Sequence, residues 1–517
     1  MGIQRYSASL DTTITNAFQA NLTTRATGSN MGLADTLEVF SIYGQASSTS
    51  AELSRVLIQF PTADISTDRT AGTIPKSGSV NFFLRMYNAE HAFTLPADFS
   101  LNVSAITRSW DEGYGMDMDE YSDLTYDEVG ANWLNALGED DDPEEWTTPG
   151  GDFYSDTSSS FTASFPIGTE DIEVDITTLV EQWISSSANA STSVDMGSKT
   201  NYGVHVMLPT GSESDGDSYY TKKFFARSSQ YFLKRPTIEA RWDSSTKDNQ
   251  GNFYLSSSVA TSAENLNTIY FYNNIRGRLR NIPENSGSSG NEITGSILVS
   301  IYSGSANNTA PSGSKLYLPL SSPSVLAVGD TNITGGYVST GIYSASFAYV
   351  SSSITTIFPV WHRSTVSATA LEYHSGSAVS IKTFGSADYN PHPSYVSKIT
   401  NLKDNYSRGE KMTRFRVYIR EKDWNPNIYT KATSNVASTI VEDGYYRIYR
   451  TVDEFEVVAY GTGSANHTRF SYDASGSYFD FPVDILETGY MYAFRFIYKM
   501  PDGNYREQPE IFKFRVD

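Results

Sequence analysis

The sequence predicts an all-β protein: tandem β-sandwich domains of jelly-roll and Ig-like type, with one short helix in the first domain and an extended N-terminal arm. Three observations carry that expectation. Aromatic residues make up 13% of the 517 residues, with 35 Tyr and 27 Phe; together with abundant Ser, Thr and Gly they suit pleated, half-buried surfaces. Apolar residues recur in short runs separated by turn residues, as in sandwich strands. Helical periodicity is nearly absent, and the length accommodates several domains of about 100–200 residues each.

Residues 1–35 carry Thr12, Thr13, Thr15, Asn16, Asn21, Thr23 and Thr24 and few large apolar groups. Such a segment closes no core of its own, so it is expected to be an arm, draped over the surface or docked on a neighbouring protein. The first sandwich is placed at 36–243, with strands at Leu37–Tyr43, Ser54–Phe60, Val80–Tyr87, Phe99–Ile106, Val204–Leu208 and Thr237–Trp242. Within it Ile176, Leu179, Val180, Trp183 and Ile184 fall at i, i+3, i+4, i+7 and i+8 behind Asp175. That spacing predicts one amphipathic helix, N-capped by Asp175, with Trp183 inward. Asp243–Asn252 reads as a linker. A second sandwich is expected over 244–400, with strands around Ile269–Tyr272, Ile297–Tyr302, Tyr343–Phe347 and Ile357–Trp361. The third, 401–517, has the clearest alternation: Phe415, Val417 and Ile419 on one face, and an aromatic face of Tyr490, Tyr492, Phe494 and Phe496. Phe512, Phe514 and Val516 carry a strand almost to the last residue.

Charge is concentrated. Between Ser109 and Ser198 there are 22 Asp or Glu and no Lys or Arg, which matches the net charge of −21 for the whole chain. Carboxylates resist leaving water, so Ser109–Asp152 is expected to be a solvated loop. Trp110, Trp133 and Trp146 would pin it to apolar surface, since each indole can bury on the order of 200 Å². By contrast the third domain is nearly neutral, with 16 Lys or Arg against 17 Asp or Glu.

The residues point away from catalysis. The six histidines, His91, His205, His362, His374, His392 and His467, sit in no triad or zinc spacing, and His205, inside a strand pattern, reads as a core residue. With no cysteine, disulfides and thiolate metal sites are excluded. The acidic balance argues against nucleic acid, and no run reaches the 18 or so apolar residues of a membrane helix. Two binding chemistries stay open. Asp117, Asp119 and Asp123 are candidate calcium ligands, because hard cations take clustered carboxylates. Exposed Trp110, Trp133 and Trp146 would offer aromatic platforms to a glycan, although anchoring is the reading their positions favour.

Two resemblances follow from longer phrases. Ile106-Thr107-Arg108, Trp110-Asp111-Glu112-Gly113, Asn132-Trp133, Pro149-Gly150-Gly151-Asp152, Asn201-Tyr202-Gly203-Val204 and Phe225-Ala226-Arg227-Ser228 resemble the DNRLRE-type β-sandwich, a jelly-roll module related to carbohydrate-binding modules. The resemblance spans roughly 36–243 and departs where Ser229 stands in place of the usual acidic residue. Arg5-Tyr6-Ser7-Ala8-Ser9, Ile14-Thr15-Asn16-Ala17-Phe18, Ile42-Tyr43-Gly44-Gln45 and the closing Glu507–Val516 look like virion structural proteins of marine T4-like tailed phages. That resemblance implies a non-enzymatic virion component of the neck, tail or capsid exterior, partnered by other phage virion proteins and by copies of itself. A glycan-binding host-adsorption protein is the alternative. A bacterial surface adhesin or polysaccharide enzyme ranks third, because the start of the chain lacks the apolar core of a secretion signal.

Overall fold

The computed structural model describes residues 2–90, 97–116, 130–137, 143–186, 198–257, 265–283, 292–304, 333–350, 352–362, 372–384, 390–410, 412–422, 428 and 438–517. The first block holds β1 (Ile3–Ser7), β2 (Leu10–Thr15), β3 (Thr36–Tyr43), β4 (Ala51–Gln59), α1 (Thr62–Ala71), β5 (Asn81–Met86), β6 (Phe99–Ala105), β7 (Asn135–Leu137), β8 (Glu144–Glu145), β9 (Ser160–Phe165), β10 (Ile172–Asp175), α2 (Thr177–Ser186), β11 (Val204–Met207), α3 (Thr210–Ser214), β12 (Tyr219–Phe225) and β13 (Thr237–Arg241). A four-stranded sheet, β1-β13-β5-β10, faces a seven-stranded one ordered β12-β3-β4-β11-β6-β9, with β2 laid along β4. Strand alternation builds the core between them. Phe82, Leu84 and Met86 of β5 enter it while Phe83 and Arg85 point the other way.

The predicted helix is α2: Ile176, Leu179, Val180 and Trp183 all join the core, and Asp175 Oδ1 accepts the Thr177 N–H at 2.9 Å. The short helices α1 and α3 were not expected, because they carry no apolar stripe; α1 buries only Ile65.

The N-terminal residues are extended but do not stand apart as an arm. β1 pairs with β13 from Ile3↔Arg241 to Ser7↔Thr237, and β2 pairs with β4 from Leu10↔Gln59 to Thr15↔Ser54. Large apolar groups are not required there, because small hydroxyl residues bury at little cost once bonded. Thr15 Oγ1 donates to Leu53 O at 2.9 Å, and Thr13 Oγ1 accepts from the Glu38 N–H at 3.1 Å. Residues 2–35 therefore belong to the first domain.

The middle block holds β14 (Phe253–Tyr254), β15 (Asn267–Tyr272), β16 (Asn274–Ile275), β17 (Arg278–Leu279), β18 (Ser296–Tyr302), β19 (Ile333–Ser339), β20 (Ile342–Phe347), β21 (Thr356–His362), β22 (Glu372–Ser375) and β23 (Val379–Lys382). Eight of these form one sheet, seven on the path β14-β23-β21-β18-β19-β20-β15 and β22 along β21. Its ends meet through side chains: the Tyr254 N–H donates to Asn267 Oδ1 at 3.1 Å, and Asn267 Nδ2 returns a bond to Tyr254 O at 2.8 Å. The sheet thus rolls around Phe253, Ile269, Val299, Phe347 and Trp361.

The last block holds β24 (Tyr395–Ile399), β25 (Asn405–Tyr406), β26 (Thr413–Glu421), β27 (Gly444–Arg450), β28 (Glu456–Val458), β29 (Ser471–Asp473), β30 (Gly476–Phe481), β31 (Met491–Lys499), β32 (Tyr505–Glu507) and β33 (Phe512–Val516). A four-stranded sheet, β24-β26-β30-β29, lies against a six-stranded one, β25-β33-β31-β27-β28 with β32 along β31. Because β24 pairs with β26, this domain starts before residue 401. Its core is aromatic: Phe415, Tyr446, Phe479, Phe494 and Phe514 share ring contacts. On β31 the buried face runs Tyr492, Phe494, Phe496 and Tyr498. Tyr490, expected in it, precedes the strand and is 37% exposed.

Candidate functional site

The acidic loop is held at its base as its tryptophans suggest. Trp110, Trp133 and Trp146 meet in one cluster with Ile14, Leu57, Ile106 and Ala136. Trp110 Nε1 donates to Tyr202 O at 2.8 Å and Trp146 Nε1 to Asn132 O at 2.9 Å, while the Arg55 guanidinium lies 5.0 Å from the Trp133 ring. Pro149-Gly150-Gly151-Asp152 is the turn that brings Trp146 home. Gly150 and Gly151 take φ of 95° and 105°, and a Cβ on Gly150 would lie 2.7 Å from Arg55 Nη1. Gly150 O accepts from Arg55 Nη1 at 2.9 Å and bonds His205 Nε2 at 3.1 Å. Burial, then Arg55, pushes the His205 imidazole down to about 3, so it stays neutral against Phe153 as a core residue.

These contacts correct the glycan expectation. The three indoles are at most 7% exposed, and a ring covered by its own domain has no face left to stack on a sugar. The calcium candidates Asp117, Asp119 and Asp123 lie outside the described residues. Among the described residues no group of three or more His, Asp or Glu could hold a metal ion.

N-terminal residues fasten the loop from the other side. Asn30 Nδ2 donates to Glu112 O and Ala131 O, each at 2.7 Å, and its Oδ1 accepts from Gly32 and Gly115 N–H. Glu112 takes the Arg227 guanidinium with both oxygens, Oε1 at 2.6 Å. Beside it Asp11, pushed up to about 7 by burial, accepts the Arg227 N–H. Ser229, the departure from the DNRLRE pattern, is buried in the following turn, where its N–H donates to Ala226 O.

A second constellation was not foreseen. On the outer face of the four-stranded sheet, Glu239 accepts from Arg5 Nε and Arg241 Nε, both at 2.6 Å, with Arg85 Nη1 at 3.7 Å. Glu173 takes Arg241 Nη1 at 2.6 Å. The three guanidiniums hold Glu239 far below the usual carboxylate range, overcoming the burial that would raise it. This face is covered by the third domain. Arg5 Nη2 donates to Val457 O, Ile3 and Leu233 belong to the third domain's core, and Arg408 lies 4.7 Å over Phe232. Arg469 pairs with Asp243. His467 packs here too, pushed down to about 4 by burial and then Arg241. Phe82, Leu84, Met86, Ile238 and Ala240 enter the core, so period-two alternation in Asn81–Met86 and Thr237–Arg241 is the signal that could have placed Arg85, Glu239 and Arg241 on the opposite face. Nothing local showed that another domain lands on them.

The linker is likewise engaged. The Tyr472 N–H donates to Thr246 O at 2.9 Å, and the Asp248 N–H donates to Tyr472 O at 3.0 Å. Asn249 Nδ2 reaches Tyr472 Oη at 3.2 Å. A cavity of about 220 Å³ lies at this junction, lined by Thr246, Tyr272, Arg414, His467, Arg469 and Asp480 among others.

Chemically, these arrangements hold surfaces together. No family model matches the chain and no curated protein matches it. Among solved structures, one described as a Ca2+-stabilized adhesin that helps an Antarctic bacterium reach out and bind ice is similar over 99% of this chain and 100% of that chain, at 9% identity and a TM-score of 0.14. A superposition that loose carries no argument.

Proposed function

We propose that this chain is a structural component of a tailed-phage particle, at its neck, tail or capsid exterior, where it assembles with other virion proteins. The observation that carries the reading is the clasp between first and third domains: Arg5, Arg85 and Arg241 around Glu239, with Ile3 inserted in the neighbouring core. Domains fixed to one another across charged and apolar contacts make a rigid block, the property a particle component needs. The phrases at the two ends of the sequence supply the link to phages. The alternative of host-surface glycan binding loses its three candidate indoles, which are buried.

The test is location. Purified particles are analysed by mass spectrometry, then labelled with antibody and viewed by electron microscopy. A ring or collar of label at neck, tail or capsid supports the reading. Absence of the chain from infectious particles overturns it, and label at a fibre tip with blocked adsorption replaces it with the adsorption role.

A further inference from the structure

The hairpin β16–β17 departs from its local preferences. Ile275 pairs with Arg278 across a two-residue turn, Arg276-Gly277, whose φ values are 52° and 75°. Two positive φ values define the turn whose twist suits a hairpin, and it favours Asn or Asp followed by Gly. Here an arginine occupies the first position, against its preference. The base is rigid. Arg280 N–H donates to Asn273 O at 3.0 Å, Asn273 Nδ2 to Arg280 O at 2.7 Å, and Asn273 N–H to Gly341 O at 2.7 Å on the rolled sheet.

From that base the hairpin presents Arg276, Arg278 and Arg280, all exposed, with Ile275 at 45% and Leu279 at 39% exposure. Among the described residues none of these guanidiniums has a carboxylate partner, whereas every arginine of the clasp does. Leu279 also lines the junction cavity, so the outward surface is Ile275 and three cations without a carboxylate partner among the described residues, held on a pre-organised loop at low entropic cost.

The complementary surface lies on the first domain. There the ribbon β7–β8 exposes Glu144 and Glu145, with Asp111 beside it through its N–H to Ala136 O at 3.2 Å. Leu134, 43% exposed, supplies an apolar neighbour, and its carbonyl takes the N–H of buried Trp146, which makes this surface rigid as well. Arg108 pairs with Glu144, leaving Glu145 and Asp111 as net negative charge.

We infer that the hairpin 273–280 docks on the acidic β7–β8 ribbon of a second copy of this chain. Two different patches then meet, so the contact is head-to-tail and propagates into a ring or a filament. The inference deepens the assembly reading by naming one partner, and it stands without the phage particle.

The test uses the full chain in sedimentation and light scattering, over a concentration series in low and high salt. The expected result is a mass that rises with concentration and falls back with salt. The triple variant Arg276→Glu, Arg278→Glu, Arg280→Glu should lose that association, and so should Glu144→Arg with Glu145→Arg. Mixing the two variants should restore it, since each then offers the charge the other lacks. Circular dichroism confirms that both are folded. A wild-type chain that stays monomeric in low salt overturns the inference, as does a triple variant that associates normally. Binding of a duplex oligonucleotide by monomeric wild type, lost in the triple variant, overturns it in favour of nucleic acid. Failure here leaves the particle location untouched, and a chain absent from particles can still self-associate.

Discussion

Arginines in two regions of this molecule meet opposite fates. Arg5, Arg85 and Arg241 lie on strands of the first domain with side chains only 10–13% exposed, each committed to Glu239 or Glu173. Arg276, Arg278 and Arg280 lie on a hairpin of the middle domain, exposed and without a carboxylate among the described residues. The local sequences do not separate them, since both sets alternate with apolar residues as on any half-solvated strand. What separates them is whether a second domain covers the face. Once it does, desolvation is severe and every charge must be answered; where it does not, the charges remain available to another molecule.

The clasp should be the more costly to disturb. Glu239→Ala leaves three guanidiniums around an uncompensated position, and removing one partner of a buried pair costs roughly 3–5 kcal/mol. Urea denaturation followed by fluorescence should show that loss, and a change below about 1 kcal/mol would show that solvent reaches the face. Acid attacks the same interface. The depressed Glu239 carboxylate gives stability that is present above its ordinary pKa and lost as pH falls. His467, held neutral with its pKa lowered to about 4, gives stability that is present above its ordinary value of 6.5 and lost as pH falls toward 4. Unfolding free energy should therefore drop through that window by on the order of 3 kcal/mol, and His467→Gln should flatten the slope. Buried His205, lowered to about 3, adds a slope of the same sign that continues to lower pH and remains in the His467→Gln variant.

Asp248, at the junction of middle and third domains, sharpens the contrast because it is buried with no arginine paired to it among the described residues. Burial, chiefly, raises it to about 7, so its contribution is complete below the ordinary carboxylate value of 3.8 and is lost as pH rises through 7. Asp248→Asn, which can still accept the Gln250 N–H, should be stabilising. Its advantage should grow between pH 4 and 7 and level off above. An advantage independent of pH would mean that the carboxylate is ionised in the folded state.

Strand existence and the core faces were legible in the sequence because period-two alternation is a local signal. Phe415, Val417 and Ile419 bury as read, and α2 obeys its i, i+3, i+4, i+7 spacing. The tryptophans as anchors were legible too, since an indole among carboxylates has one stable place to go. The N-terminal strands were not, because Thr12, Thr13 and Thr15 bury through hydroxyl bonds to partners about 20 to 40 residues away, such as Leu53 and Glu38. The clasp was illegible for a related reason. Arg5 and Glu239 lie 234 residues apart, and only the tertiary fold makes them neighbours.

The smallest effect discriminates best between the two sets of arginines. Arg276 holds a φ of 52°, a region that costs a residue other than Gly or Asn on the order of 1 kcal/mol. Nothing within the described chain repays that cost through an ion pair. Arg276→Asn should therefore leave the fold intact and raise its stability by about 0.5 kcal/mol, the reverse of any substitution in the clasp. If self-association weakens in the same variant, the strain is retained for the contact between copies. If stability falls instead, the Arg276 side chain is packed within its own chain, and the distinction between committed and available arginines does not hold there.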